Sequence, residues 1–346
     1  MRKIFTRLLA VVLCLAMVLS LAACGGVSDD KFLNESDPIQ ITDGAGRKVS
    51  FEKPAETIAT SWGGTVDPYL FALGLGDKLV ATNASNDFHK LFIDLEGMKS
   101  VGRWTLDKEA LAEISPDLFI HSMGCVDYLK GANKVGVRSI GLGLNKFEDI
   151  ENNLTMLGKV FGVEERAAEV IAECNRIKEL VDSRVSNVSE SDKPTVVVLA
   201  EETGSVASDI HDTIEVMISG AGGISVVPED IAMKTEITNV GLEKIFGWNP
   251  DFVFLQSYYC ELTVDSIMAD PTWKSMTSVQ NGHVYAIPSD LDSWSSATPS
   301  CYLGMLYMSM QMYPDLYKDI DFNTEVINFY KAAYGVELTY EQLGIK

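Results

Sequence analysis

The sequence predicts an α/β protein made of two similar lobes joined by one long helix. Short apolar strands alternate with helices in residues 37–162 and again in 189–346, which is typical of parallel sheets covered by helices on both faces. Between them, residues 163–188 show an apolar spacing of three or four. The segments PDLFIHS and PDFVFLQS occupy matching places in the two halves, each after a helix with a Leu-x-x-Ile pattern.

The chain begins with a predicted signal peptide, residues 1–23. Arg2, Lys3 and Arg7 precede an apolar run from Leu8 to Ala23 in which Ser20 is the only residue that is not apolar. A basic head, an apolar run shorter than the ~20 residues of a membrane span, and small residues at its end are typical of a cleavable signal. An uncleaved membrane anchor is the alternative.

The motif Leu21-Ala22-Ala23-Cys24 resembles a bacterial lipobox. The resemblance implies that Cys24 receives a lipid and becomes the first residue of the mature protein, which two acyl chains then hold on the membrane. The polar residues 24–36 are predicted to form a flexible tether. We therefore expect an extracytoplasmic protein, anchored by lipid on the periplasmic side of the membrane or at the cell surface.

The composition excludes two kinds of function. Removing residues 1–23 takes away three basic and no acidic residues, which leaves 25 Lys and Arg against 49 Asp and Glu and a net charge of −24. Nucleic acid is therefore not an expected partner. The remaining cysteines have no CxxC spacing, so we expect neither a zinc site nor a disulfide framework but small buried side chains. These cysteines are Cys125, Cys174, Cys260 and Cys301.

The first lobe, residues 37–162, is predicted to begin with a β-hairpin that turns at Asp43-Gly44. Gly74 and Gly76 follow a helix rather than a strand, so they indicate a helix end and not a nucleotide-binding loop. The elements that follow the hairpin alternate in type. They are strand 57–60, helix 67–73, strand 78–82, helix 105–115, strand 116–122, helix 126–136, strand 137–143 and helix 147–162.

The linking helix is predicted from Glu164 to about Val188. Its apolar stripe would span ~35 Å, which is longer than an ordinary crossover helix. The second lobe, residues 189–346, repeats the alternation. Its predicted elements are strand 195–200, helix 212–221, helix 241–248, strand 250–256, helix 263–273, strand 283–288 and helices 302–312 and 325–334.

Several segments together resemble one family. They are TDGAGRKVSFEKPAETIA, ALGLGDKLVAT, VGRWTLDKEALAEISPDLFI, NPDFVFLQ, WKSMTSVQNGHVYAIP, PSCYLGMLYMSMQMYPDLY and FYKAAYGVELTYEQ. In their order and spacing the chain resembles the substrate-binding lipoproteins of bacterial ABC importers, in the branch that takes up ferric siderophores, haem and cobalamin.

This resemblance implies two Rossmann-like lobes that face each other across a ligand cleft. One rigid helix would join the lobes and permit only small lobe rotations. It also implies a monomer that works with an ABC permease and its ATPase, binds a metal chelate, and has no cofactor of its own.

The loops after the strands are expected to form the cleft wall, because ligands of open parallel sheets bind at the carboxyl ends of the strands. Aromatic side chains in these loops offer broad rigid faces to a flat or bulky ligand, although each one is also a candidate for loop packing. The candidate ligand-binding residues are Trp62, Arg103, Trp104, Met123, His211, Tyr258, Tyr259 and Trp294.

The charged and metal-ligating candidates indicate the ligand class. Arg103 can pair with an anionic ligand group, or it can be a surface arginine. Because a ferric tris-catecholate needs more than one cation, the shortage of basic residues favours a hydroxamate-like siderophore, a corrinoid or haem. In the loop SDIHD, Asp209, His211 and Asp212 can ligate a hard metal, or Asp212 can cap the helix that follows. His121 and Met123 are possible axial ligands of haem iron. No metal site is assigned.

A binding protein is favoured over an enzyme. The chain contains no GxSxG, P-loop or HExxH motif, and its four histidines show no spacing pattern. The prediction is therefore a lipoprotein that captures a ferric siderophore or related chelate, with corrinoid or haem binding as the alternative. A tetrapyrrole-handling enzyme of the chelatase kind is the runner-up from another class, and the lipobox argues against it. A surface adhesin or sensor is a third possibility.

The resemblance also implies an acidic residue on each lobe that pairs with arginines of the permease. The matching positions are Asp127, soon after PDLFI, and Glu261, after PDFVF, with Asp265 one turn further on. Asp127 is an aspartate where the family more often has glutamate. Ordinary surface acids are the alternative for both.

Overall fold

A computed structural model gives the three-dimensional structure for residues 32–343 apart from 85, 104, 145, 202–203, 208–212 and 233–237. For residues 201, 229, 232, 257–259, 340 and 343 it describes the backbone only. The predicted signal peptide, lipidation site and most of the tether lie outside the described residues. Within the described part, no helix combines the length and apolar character needed to cross a bilayer.

The N-terminal lobe is built on a parallel sheet. Its strands are β1 (Ile39–Thr42), β2 (Lys48–Phe51), β3 (Ile58–Thr60), β4 (Leu79–Ala81), β5 (Leu118–Ser122) and β6 (Arg138–Leu142). Its helices are α1 (Gly63–Ala72), α2 (Lys108–Ile114), α3 (Val126–Lys134) and α4 (Glu148–Phe161). The sheet has the order β4-β3-β5-β6 with all pairs parallel, and β1 and β2 form the predicted hairpin.

The hairpin turn is fixed to the sheet by a buried ion pair. The Asp43 carboxylate accepts hydrogen bonds from Arg47 Nε at 2.9 Å and Nη2 at 2.7 Å, and from the Gly141 N–H at 2.9 Å. Arg47 also donates to the Ser139 carbonyl oxygen at 2.8 Å. Each buried charge is therefore satisfied by several partners, as a buried ion pair requires.

The linking helix α5 runs from Glu164 to Val185 and spans about 33 Å. It buries an apolar stripe that includes Val170, Cys174 and Ile177, as the periodicity predicts. Arg166, near its start, donates to the Ala72 carbonyl oxygen at the end of α1 and to a carbonyl oxygen of a C-terminal helix. The helix is thus held by both lobes.

The C-terminal lobe has a mixed sheet. Its strands are β7 (Thr195–Glu201), β8 (Ser205–Val206), β9 (Ile224–Ser225), β10 (Thr238–Asn239), β11 (Phe252–Cys260) and β12 (Val284–Ile287). Its helices are α6 (Thr213–Gly220), α7 (Glu229–Ala232), α8 (Leu242–Trp248), α9 (Val264–Ala269), α10 (Thr277–Gln280), α11 (Cys301–Met312), α12 (Phe322–Tyr334) and α13 (Tyr340–Leu343). The main path of the sheet is β10-β8-β7-β11-β12.

This sheet differs from the prediction of parallel sheets in both lobes. Strand β7 pairs parallel with β9 and β11, and β11 parallel with β12, but β8 pairs antiparallel with β7, and β10 antiparallel with β8. Only three residues separate β7 from β8, which is too short for a parallel crossover and long enough for a hairpin. The two-residue strands carry too little sequence pattern to be predicted.

The two lobes share one hydrophobic core across the linking helix. At the seam, Tyr69 Oη of the N-terminal lobe donates to the Ala297 carbonyl oxygen at 2.7 Å. The Phe88 ring meets the rings of Tyr330 and Tyr334 with centroids 6.1 and 5.2 Å apart. Close-packed interiors resist deformation, so this seam favours small lobe rotations.

Candidate functional site

A cavity of about 310 Å³ lies where the loops of the two lobes meet. The N-terminal lobe supplies one wall from the loops after β3 and β4 and from Arg103, and the C-terminal lobe supplies the other from the loop after β12. The described lining residues are Trp62, Gly63, Gly64, Thr65, Asn83, Ala84, Asn86, Arg103, Ser289, Ser293 and Ser296. These loops follow the carboxyl ends of strands, where a ligand of such sheets is expected.

Trp62 has a strained backbone in the wall of this cavity. Its φ of 61° and ψ of 40° place it in the left-handed region directly before α1. A bulky residue there is an outlier, and such outliers are characteristic of functional sites. The preceding Ser61 donates its hydroxyl to the Gly102 carbonyl oxygen at 2.8 Å, which links this turn to the loop that carries Arg103.

The first turn of α1 also faces the cavity. The Gly63 N–H donates to Asn83 Oδ1 at 2.9 Å, and the N–H groups of Thr65 and Val66 donate to the Trp62 carbonyl oxygen. The first N–H groups of a helix have no partner within the helix, and the Gly64 N–H has none among the described residues, so it can bond to solvent or a ligand. This end of the helix favours negative charge and oxygen acceptors.

The wall from the C-terminal lobe is a serine-rich loop with a buried carboxyl group behind it. Ser289, Ser293 and Ser296 line the cavity. Asp292, between them in sequence, is buried and accepts hydrogen bonds from the hydroxyls of Ser300 and Tyr330. Burial raises the pKa of Asp292 to about 6, against the lowering effect of these hydrogen bonds.

Two of the predicted ligand-binding residues, Trp62 and Arg103, lie together in the cavity wall. The structure does not describe the side chains of four others. Trp104 and His211 lie outside the described residues, and so does most of the SDIHD loop. Tyr258 and Tyr259 are described by backbone only, and they lie within β11 rather than in the predicted loop, because β11 continues to Cys260 and pairs with Glu201 of β7.

The prediction that Trp294 offers a ring face to the ligand needs correction. Its side chain is only 3% exposed, and its indole N–H donates to Tyr330 Oη at 2.9 Å. The indole packs edge to face with Phe322. The ring therefore belongs to the core of the C-terminal lobe, while the serines on either side of it face the cavity.

Met123 and His121 lie away from the cavity lining. Met123 begins a short 3-10 helix after β5 and is half-buried beside Gly141. His121 is fully buried, and its ring packs edge to face with the Tyr128 ring, with centroids 4.8 Å apart. Its Nε2 atom has no hydrogen-bond partner among the described residues. Burial lowers the pKa of His121 to about 4. A buried neutral imidazole matches the alternative of a packed histidine better than that of a haem ligand.

Among the described residues, no group of three or more His, Cys, Asp or Glu side chains is arranged to hold a metal ion. Cys125, Cys174, Cys260 and Cys301 are free thiols, and burial raises the pKa of each.

The two candidate docking residues are both exposed. Asp127 lies in the first turn of α3, and Glu261 directly follows β11. Each therefore lies just beyond the carboxyl end of a central strand of its own lobe. Cys24 lies outside the described residues.

Sequence reasoning did not single out the individual polar residues of the cavity. Asn83, Asn86 and the three serines lie in loops that were expected to line the cleft, but nothing in a loop sequence shows which side chain faces inward. One available signal was Asp67, a lone acidic residue within the apolar helix α1. A buried acid in such a helix requires a polar partner.

Comparison with known proteins identifies the class. The sequence matches the periplasmic binding protein family over residues 59–291, more than half of the chain. The uncharacterised ABC transporter substrate-binding lipoprotein YvrC of Bacillus subtilis is 21% identical over 86% of this chain and 95% of its own length. The iron(3+)-hydroxamate-binding protein YxeB of the same species is 23% identical over 66% of this chain and 72% of its own length.

A solved structure agrees in fold. The molybdate-binding protein MolA of Haemophilus influenzae, with molybdate bound, superposes with a TM-score of 0.74 at 17% identity, covering 87% of this chain and 99% of MolA. This likeness confirms the predicted two-lobe α/β fold. The chain therefore belongs to the periplasmic binding protein family and is a solute-binding protein of ABC transporters rather than an enzyme, as the sequence predicts.

Proposed function

We propose that the protein captures a metal chelate whose outer surface is rich in oxygen atoms, first of all a ferric siderophore of the hydroxamate class, and delivers it to an ABC permease. One observation carries the proposal. Beside Trp62, Ala84 and two glycines, the cavity between the lobes is lined by residues with hydroxyl and amide side chains, and Arg103 is the only charged side chain among its described lining residues. Such a wall suits carbonyl and hydroxamate oxygens, which accept hydrogen bonds.

The charge of the protein supports an uncharged chelate. The chain has 28 basic and 49 acidic residues, and a strongly negative protein repels anions at long range. A neutral ferric tris-hydroxamate avoids this repulsion. The name of YxeB shows that a relative binds iron hydroxamate. Haem and corrinoids remain the alternative, but their large apolar faces match a wall with this many hydroxyl and amide groups less well.

A tetrahedral oxyanion is the second candidate. The first turn of α1 and Arg103 both lie in the cavity wall, and helix N-termini and arginine favour oxyanions. The structure of MolA with molybdate shows that this fold accepts such a ligand. The two candidates differ in how much they depend on the Arg103 charge.

The test is a binding panel on the purified protein with ferrichrome, an uncharged ferric tris-hydroxamate, and with molybdate, haemin and cyanocobalamin. A ligand at a hundredfold excess over its Kd adds about 2.7 kcal/mol to the free energy of unfolding, which a thermal shift detects. We expect ferrichrome to stabilise the protein and to quench the fluorescence of Trp62. Stabilisation by haemin or cyanocobalamin alone would contradict the proposal.

Two substitutions of Arg103 separate the candidates. Arg103→Gln removes the charge and Arg103→Lys keeps it. The Kd for ferrichrome should change little in both variants, because ferrichrome is uncharged. Molybdate binding should be lost in Arg103→Gln and retained at least in part in Arg103→Lys.

We further propose that Cys24 carries a lipid and that residues 24–36 tether the lobes to the membrane. The lipobox-like motif supports this, and the relative YvrC is named a lipoprotein. Asp127 and Glu261 are proposed to dock the permease. Both are exposed, and they lie on different lobes, so two individually weak contacts would together fix the orientation of the bound protein.

A further inference from the structure

A buried hydrogen-bond relay lies behind the cavity wall in the N-terminal lobe. It joins Asp67 of α1 to His89 and Asn86 of the loop after β4. Asp67 and His89 are both fully buried, whereas Asn86 is exposed and lines the cavity. Asp67 Oδ2 accepts from the Thr82 hydroxyl at 2.6 Å and lies 3.1 Å from His89 Nε2.

The hydrogen bonds fix the orientation of the Asn86 amide. Its Oδ1 atom accepts from the backbone N–H of His89 at 3.1 Å and lies 2.5 Å from His89 Nδ1. A backbone N–H can only donate, so the atom that faces it must be the amide oxygen and not the amide nitrogen. His89 Nδ1 must then carry a hydrogen, because the oxygen it faces can only accept.

The other ring nitrogen completes the relay. The contact between His89 Nε2 and Asp67 Oδ2 holds one proton, and the ring is thereby fixed at both ends. The ring also meets the edge of Phe71 at a centroid distance of 5.1 Å. The Asn86 amide nitrogen is bonded to no described residue, so its two N–H groups remain for solvent or ligand at the cavity.

Stability alone does not account for this arrangement. Burying a hydrogen-bonded polar pair costs desolvation, and apolar side chains of similar volume are often as stable or more stable. A pair of this kind directly behind a ligand wall has a clearer use in holding a polar side chain in one orientation.

We infer that Asn86 is a specificity-determining residue whose N–H groups donate to ligand oxygens, and that His89 and Asp67 are positioning residues that hold this amide with its nitrogen toward the cavity. The inference rests on the proposed function and deepens it, because it selects ligands with oxygen acceptors at this wall. It predicts that the orientation of one amide, and not only its presence, sets the affinity.

One variant and a matched control test the ligand contact. Asn86→Asp keeps an oxygen for His89 but replaces the two N–H groups by an acceptor, so the Kd for ferrichrome should rise about tenfold or more. The neighbouring Asp87→Asn, at an exposed residue that pairs with Lys90, is the matched control and should leave the Kd unchanged. An unchanged Kd in Asn86→Asp would overturn the inference.

A double-mutant cycle tests the positioning role. His89→Leu should weaken ferrichrome binding in the wild-type background and should have no further effect in the Asn86→Ala background, because His89 acts through Asn86. A merely structural role would give equal losses in both backgrounds and would overturn the inference.

A measurement without ligand keeps the two proposals distinguishable. In ¹⁵N NMR of the ligand-free protein, with the signal assigned by its loss in His89→Leu, His89 Nδ1 should carry a hydrogen. Absence of that hydrogen would overturn the inference even if ferrichrome binds. If neither ferrichrome nor molybdate binds the wild type, the proposed ligand class is wrong. The ¹⁵N spectrum of His89 still decides whether the Asn86 amide is held with its oxygen toward His89.

Discussion

Two buried groups with opposite pKa shifts should hide each other's effect on the pH dependence of stability. Burial raises the pKa of Asp292 from 3.8 to about 6, and burial lowers the pKa of His121 from 6.5 to about 4. Both side chains are almost completely buried, so water screens neither effect. Each shift has a defined sign in the free energy of unfolding.

The signs are opposite. Asp292 binds its proton more tightly in the folded protein, so its contribution to the free energy of unfolding is fully present below about pH 3.8. This contribution is lost as the pH rises through about 6. At about 1.36 kcal/mol per pH unit this amounts to about 3 kcal/mol. His121 binds its proton more tightly in the unfolded chain, so its contribution of about 3 kcal/mol is gained as the pH rises from about 4 to 6.5.

Replacing one of the two groups by a neutral side chain should therefore reveal how the other one makes the free energy of unfolding depend on pH. Asp292→Asn leaves the His121 contribution, so the free energy of unfolding should increase by about 3 kcal/mol from about pH 4 to about pH 7, relative to the wild type. His121→Gln should show a decrease of similar size, and the double variant should follow the wild type.

The assay is urea unfolding at several pH values, with the slope against denaturant checked for constancy between variants. Differences between each variant and the wild type remove the contribution of the exposed carboxyl groups, which all variants share. Single variants whose pH profiles run parallel to that of the wild type would refute the assigned burial of both groups.

The other predictions concern the cavity wall, the anchor and docking. Gly63→Ala should lower stability and ligand affinity, because its Cβ would lie 2.2 Å from Thr82 Oγ1 and 2.6 Å from Asp67 Oδ2. In Gly64→Ala the added Cβ meets nothing within 4 Å, so this control should not lower stability in thermal unfolding. Cys24→Ala should leave the precursor uncleaved or release the protein from membranes, and normal membrane retention would refute lipidation. Asp127→Arg combined with Glu261→Arg should abolish uptake without changing affinity in solution. Intact uptake would show that other residues dock the permease.

The sequence predicts most of the architecture because the periodicities are long and clear. The stripe that contains Val170, Cys174 and Ile177 runs from Ala167 to Val181, about four turns of the helix, and PDLFI and PDFVF are apolar runs bounded by turn residues. The short antiparallel strands β8 and β10 could not be predicted, because two residues show no period. The predicted strand 250–256 ends too early, because β11 continues through Tyr258 and Tyr259 to Cys260, although tyrosines favour strands.

The site is only partly predictable for a different reason. Trp62 and Arg103 follow from their places after predicted strands. In the loop that contains Trp294, by contrast, no repeat distinguishes the indole that packs inward from the serines that face the cavity. Asp67 and His89 are 22 residues apart and meet only in the folded lobe. Sequence alone therefore indicates which loops form the cleft, but not which side chains make its surface.

The most direct test of the central claim is a crystal structure of the protein with ferrichrome, with an anomalous difference map recorded at the iron absorption edge. The proposal predicts one strong iron peak between the lobes, in the cavity bounded by Trp62, Asn86, Arg103 and Ser293. An iron peak elsewhere on a protein that binds ferrichrome in solution, or an empty cavity at saturating ferrichrome, would contradict it.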